Sequence, residues 1–252
     1  MSALALKLIA ITTMTADHFG AVIWHIQWLR DAATLMRAVG RVAFPLFCFL
    51  IVQGVIYTHK REKYLARLAI FAVISILPFG IFLPIVMGVG GFFYTGMHNV
   101  LFTLLGGAAA ACAYDAIRER LSPVPGVLIG LLPAVGFGVL VHFMNSDFGE
   151  YGLGVALIFV IYLTQKRFPK GNLRHLVVLP ILVWAGVFYF GSMTLTIFAA
   201  VPALFISIYN GKQGNARASQ KLKIWFYIYY PAHLLVLSGL VYFMTIRVFN
   251  SL

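Results

Sequence analysis

Lys7 and His18 stand eleven residues apart in the stretch Lys7-Leu-Ile-Ala-Ile-Thr-Thr-Met-Thr-Ala-Asp17-His18, which between them holds a single charged residue, Asp17. Eleven helical steps of about 100° return to within about 20° of the starting direction, so on an α-helix both side chains share one face. The rise separates them by roughly 16 Å, which carries His18 toward mid-membrane when Lys7 stands near its edge. Imidazole exchanges a proton near neutral pH, and His18 is therefore a candidate general base. Asp17, turned by about 100° from its neighbour, must look to another partner. A structural polar cluster is the plainer reading of the pair.

Arg37 and Arg41 are one turn apart, and Arg41 opens Gly40-Arg41-Val-Ala-Phe44-Pro45, beside a helix-disturbing proline. Snorkelling accounts for Arg37. Arg41 sits deeper and either snorkels too or meets an internal anion, with Asp147 or Glu150 on the same side as carboxylate partners. His98-Asn99 starts another apolar run, where an asparagine serves commonly as a cap. Near the end stands Phe226-Tyr227-Ile-Tyr229-Tyr230-Pro231-Ala-His233. Pro231 frees a carbonyl one turn back, and Tyr229 and Tyr230 precede His233 by four and three residues. An interfacial aromatic belt explains the tyrosines but not a histidine behind them. Lys60, Lys63 and Arg67, with Arg61 alongside, form a basic stripe; it answers either to membrane topology and anionic lipid or to a polyphosphate ligand.

The elements that must hold these groups are membrane helices. Of 252 residues, 62% are hydrophobic and 10% charged, with mean hydropathy +0.93; a soluble domain carries about 25% charge. The apolar runs are continuous rather than alternating, which excludes a β-barrel. About nine spans are predicted: Leu4–Trp28, Val39–Thr58, Tyr64–Val86, His98–Ala116, Val124–Phe143, Tyr151–Thr164, Leu173–Phe190, Ser192–Tyr209 and Ile224–Val248. The fold class is an all-α polytopic membrane protein, residues 1–252 forming one domain. The net charge of +12 reflects a shortage of acids, and its basic residues fall between apolar runs, which argues for topology and against nucleic acid. On the predicted topology, 15 of the 19 Lys and Arg lie on one side and Arg30, Arg37, Arg41 and Arg247 on the other, so the N-terminus is expected in the cytoplasm. The first run lacks a basic leader and a cleavage site and reads as a retained helix. Cys48 and Cys112 read as small buried hydrophobes, His25, His59, His142 and His175 as interfacial groups, and Gly106-Gly-Ala-Ala-Ala-Ala111 as a helix-packing surface.

Lys7-x10-His18 resembles the Arg/Lys-x10-His signature of the integral-membrane acyltransferase-3 superfamily, and the Phe226–His233 segment resembles its late Tyr-x-x-His pattern. The closer resemblance is to the TraX family, associated with N-terminal acetylation of conjugative pilin. It is carried by Lys7–His18, Gly40-Arg41-Val-Ala-Phe-Pro45-Leu-Phe, Lys63-Tyr-Leu-Ala-Arg67-Leu-Ala-Ile-Phe, Asn99-Val-Leu-Phe102, Glu150-Tyr-Gly152, Tyr209-Asn-Gly211 and Phe226–Leu237, in the family's order. Glu150 stands where Asp is expected, and Leu77 where an acid often precedes the Pro-Phe pair. The resemblance implies acetyl transfer from cytosolic acetyl-CoA to an acceptor in or outside a bacterial inner membrane, a pilin N-terminal amine first among them, with lipids around the protein and no metal. It implies His18, Asp17, Arg41, Asn99 and His233 as the catalytic set, and Lys7, Lys60, Arg61, Lys63, Arg67, Tyr227 and Tyr230 as the donor-binding set. O-acetylation of a glycan or lipid, a proton-coupled transporter or flippase, and a structural subunit of a pilus apparatus are the rival readings.

Overall fold

The computed structural model describes residues 1–168, 193–214 and 216–249. The helices are α1 (Ala3–Ile23), α2 (Arg30–Gly40), α3 (Ala43–Tyr57), α4 (Arg61–Ile74), α5 (Ile76–Met87), α6 (Val100–Arg118), α7 (Pro123–Gly130), α8 (Leu132–Phe143), α9 (Leu153–Arg167), α10 (Met193–Ala200), α11 (Pro202–Ser207) and α12 (Ala216–Phe249). Single 3-10 turns lie at Gln27–Leu29 and Glu150–Gly152, and a lone bridge joins His98 to Ser146.

Among the described residues, five stretches are long and apolar enough to cross a bilayer: Ala3–Ile23, Gln27–Tyr57, Val100–Arg118, Pro123–Phe143 and Ile224–Met244. The pair α4–α5, bent by 47°, makes a sixth when taken as one span. Apolar side chains that face outward, such as Phe143, Val124, Leu132 and Leu204, suit lipid rather than water. The chain is therefore a helical membrane protein. The predicted sixth span is the 15-residue α9, and the eighth is broken into α10 and α11. The seventh, Leu173–Phe190, lies outside the described residues, as do Lys170, Arg174, His175 and the side chains of Arg217, Lys221, Lys223 and Arg247.

Two departures from the predicted spans have local causes. Tyr64–Val86, expected as one helix, breaks at Ser75. Pro78 has no N–H for the carbonyl one turn back, while its ring is accepted in the first turn of a new helix, and α5 starts there. Residues 30–38, expected outside the spans, form α2 together with Val39 and Gly40, which were expected to open the second span. Asp31 in its first turn and Arg37 in its last suit the helix dipole, and its buried residues Ala33, Ala38 and Gly40 are small enough to lie close along α1.

The core runs between α1, α3, α6 and α9, where Leu6, Leu46, Phe49, Val52, Ile158 and Tyr162 are fully buried. The small-residue run of α6 lets it sit deep: Ala108, Ala110 and Ala111 are wholly enclosed, and a Cβ on Gly107 would come within 2.5 Å of the Ile158 side chain. Cys48 is buried and Cys112 half-buried, both as free thiols.

Candidate functional site

The shared face of Lys7 and His18 meets the last helix. Lys7 Nζ lies over the Phe226 ring at 5.2 Å, and about two turns farther along α12 His233 faces His18. His18 Nδ1 and His233 Nε2 are 2.7 Å apart, and His233 Nδ1 is 2.9 Å from the Tyr229 carbonyl oxygen. A carbonyl only accepts, so His233 Nδ1–H donates to it and neutral His233 presents a bare Nε2. His18 Nδ1–H then donates to that nitrogen, and the lone pair of His18 resides on Nε2. The chain of bonds thus selects the tautomer in which His18 is a base. Phe82 meets the His18 ring edge-on at 5.3 Å, and Tyr229 stacks on His233 while its hydroxyl lies 2.7 Å from Thr15 Oγ1.

Asp17, on its own face of α1, pairs with Arg41; Arg37 stands 3.8 Å from the same oxygen. The carboxylate bonded to Arg41 is therefore Asp17, where the sequence suggested Asp147 or Glu150; Asp147 is within reach of the Arg41 charge. Arg41 is further held by its Nε, which donates to the Arg37 carbonyl at 3.0 Å. Gly40 explains how the helices come so close. A Cβ at that position would fall 2.2 Å from Asp17 Cβ, so any other residue would push α2 off α1.

The wall opposite is the start of α6. Asn99 is fully buried; its Oδ1 accepts from Leu101 N at 3.1 Å and its Nδ2 donates to the Ala72 carbonyl at 2.9 Å. It caps α6 and ties it to α4, so its amide is committed to structure. The loop after α8 is pinned to the same place. His98 N donates to the Asn145 carbonyl at 3.0 Å, Asp147 N to the His98 carbonyl at 2.8 Å, and Ser146 Oγ to the Asn99 carbonyl at 3.1 Å. Asn145, Phe148 and Tyr151 all have positive φ, 48°, 57° and 50°, a strained run held in place by these bonds. The loop carries Asp147, which feels Arg41, Asp17 and Arg37. Burial outweighs the two arginines and pushes its carboxyl up to about 6. Tyr230 is buried beside this wall, its ring 6.4 Å from His18 and 5.7 Å from His233.

A second charged region lies at the other end of α6. Asp115, three residues before the helix ends, receives Arg61 of α4 on one oxygen and Lys166 of α9 on the other, each at 2.8 Å. The sixteen residues from Asn99 to Asp115 set the two regions about 24 Å apart along α6. Beside this triad, His59, Lys60, Arg61, Glu62 and Lys63 line an open concavity of about 500 Å³. The expected stripe does not act as one surface. Lys60 and Lys63 are exposed and Arg61 is shared with Asp115, whereas Arg67 is half-buried beside the Tyr227 hydroxyl, with Tyr227 stacked on Phe71 at 5.2 Å. Lys7, Arg67 and Tyr227 sit between the two regions, and Tyr230 belongs with the histidines.

Sequence reasoning missed the Asp115 triad and the Thr15–Tyr229 bond. A signal for the first was present, since the chain has only seven acids and Asp115 falls within an apolar run.

Fold and site together define a helical membrane protein with a paired-histidine centre beside a nearly buried ion pair. The sequence model of the TraX protein family matches residues 2–241, and the chain belongs to that family. It is similar to the probable fimbrial assembly protein FimC, serogroup H1, of Dichelobacter nodosus, with 32% identity over 94% of this chain and 95% of that protein. No solved structure matches.

Proposed function

We propose that this protein is a membrane-embedded acetyltransferase that moves an acetyl group from cytosolic acetyl-CoA to an acceptor amine, most directly the N-terminus of a pilin. One observation carries the reading: the bonded series Tyr229 carbonyl, His233, His18, which leaves a base at His18 Nε2. The fimbrial assembly protein of Dichelobacter nodosus supports a pilus-related acceptor.

The reaction needs an unprotonated amine. As its nitrogen attacks the thioester carbonyl carbon, a C–N bond forms and the carbonyl electron pair moves onto oxygen. His18 Nε2 takes the proton released by the attacking nitrogen. Collapse of the tetrahedral intermediate breaks the C–S bond, and the departing thiolate receives that proton, giving the amide and free CoA thiol. His233 holds His18 in the required tautomer and spreads the imidazolium charge toward the Tyr229 carbonyl. Asp17 with Arg41 holds α2 against α1 beside the base.

The donor-binding part is assigned to Lys60, Arg61 and Lys63 with Lys166, which bear the charge for the phosphates, and to Lys7, Arg67 and Tyr227 along the way inward. A donor that spans about 24 Å between its charged head and its reacting carbonyl must be long and thin, as CoA with its pantetheine arm is. In this reading the chain crosses the bacterial inner membrane nine times from a cytoplasmic N-terminus, with Arg61, Asp115 and Lys166 at the cytoplasmic mouth.

The test is transfer of labelled acetyl from acetyl-CoA by the purified protein in lipid nanodiscs to a pilin-like peptide with a free N-terminus, beside His18→Ala. Transfer that disappears in the variant is the expected result. Equal transfer by both proteins would remove His18 from the mechanism. Donor binding without peptide modification would move the acceptor to a glycan or lipid hydroxyl, and substrate flux without any donor requirement would make the protein a transporter.

A further inference from the structure

The hydroxyl of Tyr230 presents a problem that the scheme above does not use. Tyr230 is 6% exposed and its hydroxyl is buried, yet the oxygen has no hydrogen-bond partner of good geometry among the described residues. Burying such a group unpaired opposes folding, and an orphan of this kind points to a partner that arrives later. What that partner is can be read from the surroundings. The Val100 backbone N–H, in the first turn of α6, lies against the Tyr230 oxygen. The oxygen therefore already faces a donor, and what the hydroxyl lacks is an acceptor for its own proton. Behind Val100 stands the 19-residue α6, whose positive end favours negative charge developing at this spot. His18 and His233 are the neighbouring rings.

Resting on the acetyltransferase reading, we propose that Tyr230 is a catalytic residue that binds the acyl carbonyl oxygen: its hydroxyl, backed by the α6 N-terminus at Val100, donates to that oxygen as it becomes an oxyanion. The site takes a polarised carbonyl, a thioester, ketone or amide oxygen. The base at His18 removes a proton from the nucleophile while Tyr230 holds the electron pair displaced onto oxygen, so the two groups act on opposite ends of the same bond rearrangement. Asn99, which the family resemblance placed in the catalytic set, is bound on both its oxygen and its nitrogen. Arg41 is paired with Asp17.

Tyr230→Phe removes the hydroxyl and keeps the ring. In nanodiscs the expected result is a fall in kcat of about 100-fold, in the range seen when one oxyanion donor is lost. KM for acetyl-CoA should change by less than about twofold, and the unfolding temperature should not fall. The second measurement is independent of turnover. A ketone analogue of acetyl-CoA, with methylene in place of sulfur and ¹³C at the carbonyl, is bound to each protein and its C=O stretch recorded. The stretch should lie at lower frequency in the wild type than in Tyr230→Phe. If the wild type transfers acetyl and binds the analogue but the two proteins match in kcat and in stretch, Tyr230 does not hold the carbonyl. If the wild type neither transfers acetyl nor binds the analogue, the acetyltransferase reading itself falls, and this assignment falls with it.

Discussion

Asp17 and Asp115 are both acids in apolar helices, and both recruit two cations, but their surroundings differ. Asp17 is 19% exposed and its close partner Arg41 only 10%, with Arg37 farther off, whereas Asp115 is 5% exposed and holds two cations that are 34% and 49% exposed. Arg41, with its Nε on the Arg37 carbonyl and a terminal nitrogen on Asp17, ties two helices together and works by fixing geometry. An open triad keeps unused guanidinium and ammonium donors turned outward, with one positive charge in excess, and so suits an anion arriving from water. One carboxylate thus holds two helices beside the paired histidines, and the other gathers charge from two helices at the far end of α6.

The sharpest break in this contrast is at the centre. His18→Ala should lower transfer by about 10²–10⁴ while leaving acetyl-CoA affinity in place, as the removal of a general base does; a matching fall in affinity by calorimetry would make His18 a donor-binding group instead. Next in size is Arg41→Ala. Leaving the part-buried Asp17 with only the more distant Arg37 should destabilise the fold by about 1–3 kcal/mol, visible in thermal unfolding. Asp17→Asn combined with Arg41→Gln should recover part of that loss, and a double variant no better than the single would mean the pair is not closed. At the entrance, Lys166→Ala should raise KM for acetyl-CoA about tenfold, the worth of one charge-assisted bond, with kcat unchanged. A change in kcat alone would place Lys166 outside donor binding.

The smallest effect concerns Asp147, whose carboxyl is pushed up to about 6 by burial. The native state then holds its proton more tightly than the unfolded chain, where the value is about 3.9. Asp147 contributes fully below about pH 4 and less as pH rises to about 6, beyond which the contribution stays lost. Asp147→Asn should remove that decline, so that unfolding temperatures of the two proteins, measured across this range, diverge as pH rises. Parallel curves would mean Asp147 is as well solvated in the fold as outside it.

Much of the centre was legible because helical geometry is strict. Eleven residues place Lys7 and His18 on one face wherever the helix goes, and both do meet α12. The same arithmetic required a separate partner for Asp17. Which partner it was remained hidden: Arg41 was expected near the start of the span Val39–Thr58, and nothing in the hydropathy of residues 30–38 showed that they would form a helix along α1 and deliver Arg41 to Asp17. In a chain apolar on nearly every face, the usual periodicity that marks the buried side is missing, so the rotation of each helix cannot be read. Asp115 escaped notice for that reason, and Tyr230 was grouped with donor-binding residues because an aromatic cluster at a helix end looks interfacial. The break at Ser75 was written in Pro78 but is common to kinks and to helix starts alike.

The two histidines come from the first and the last described helices, 215 residues apart, while Asp17 and Arg41 are separated by only 24. During synthesis at about 5–20 residues per second, the ion pair can close as soon as α2 follows α1 into the bilayer. The second imidazole arrives roughly 10–40 s later. For that interval the nascent chain has its most costly charge already neutralised but no assembled base. A ribosome stalled anywhere before α12 therefore leaves a membrane fragment with the ion pair in place and His18 without its partner, so the histidine pair forms only once α12 has been made.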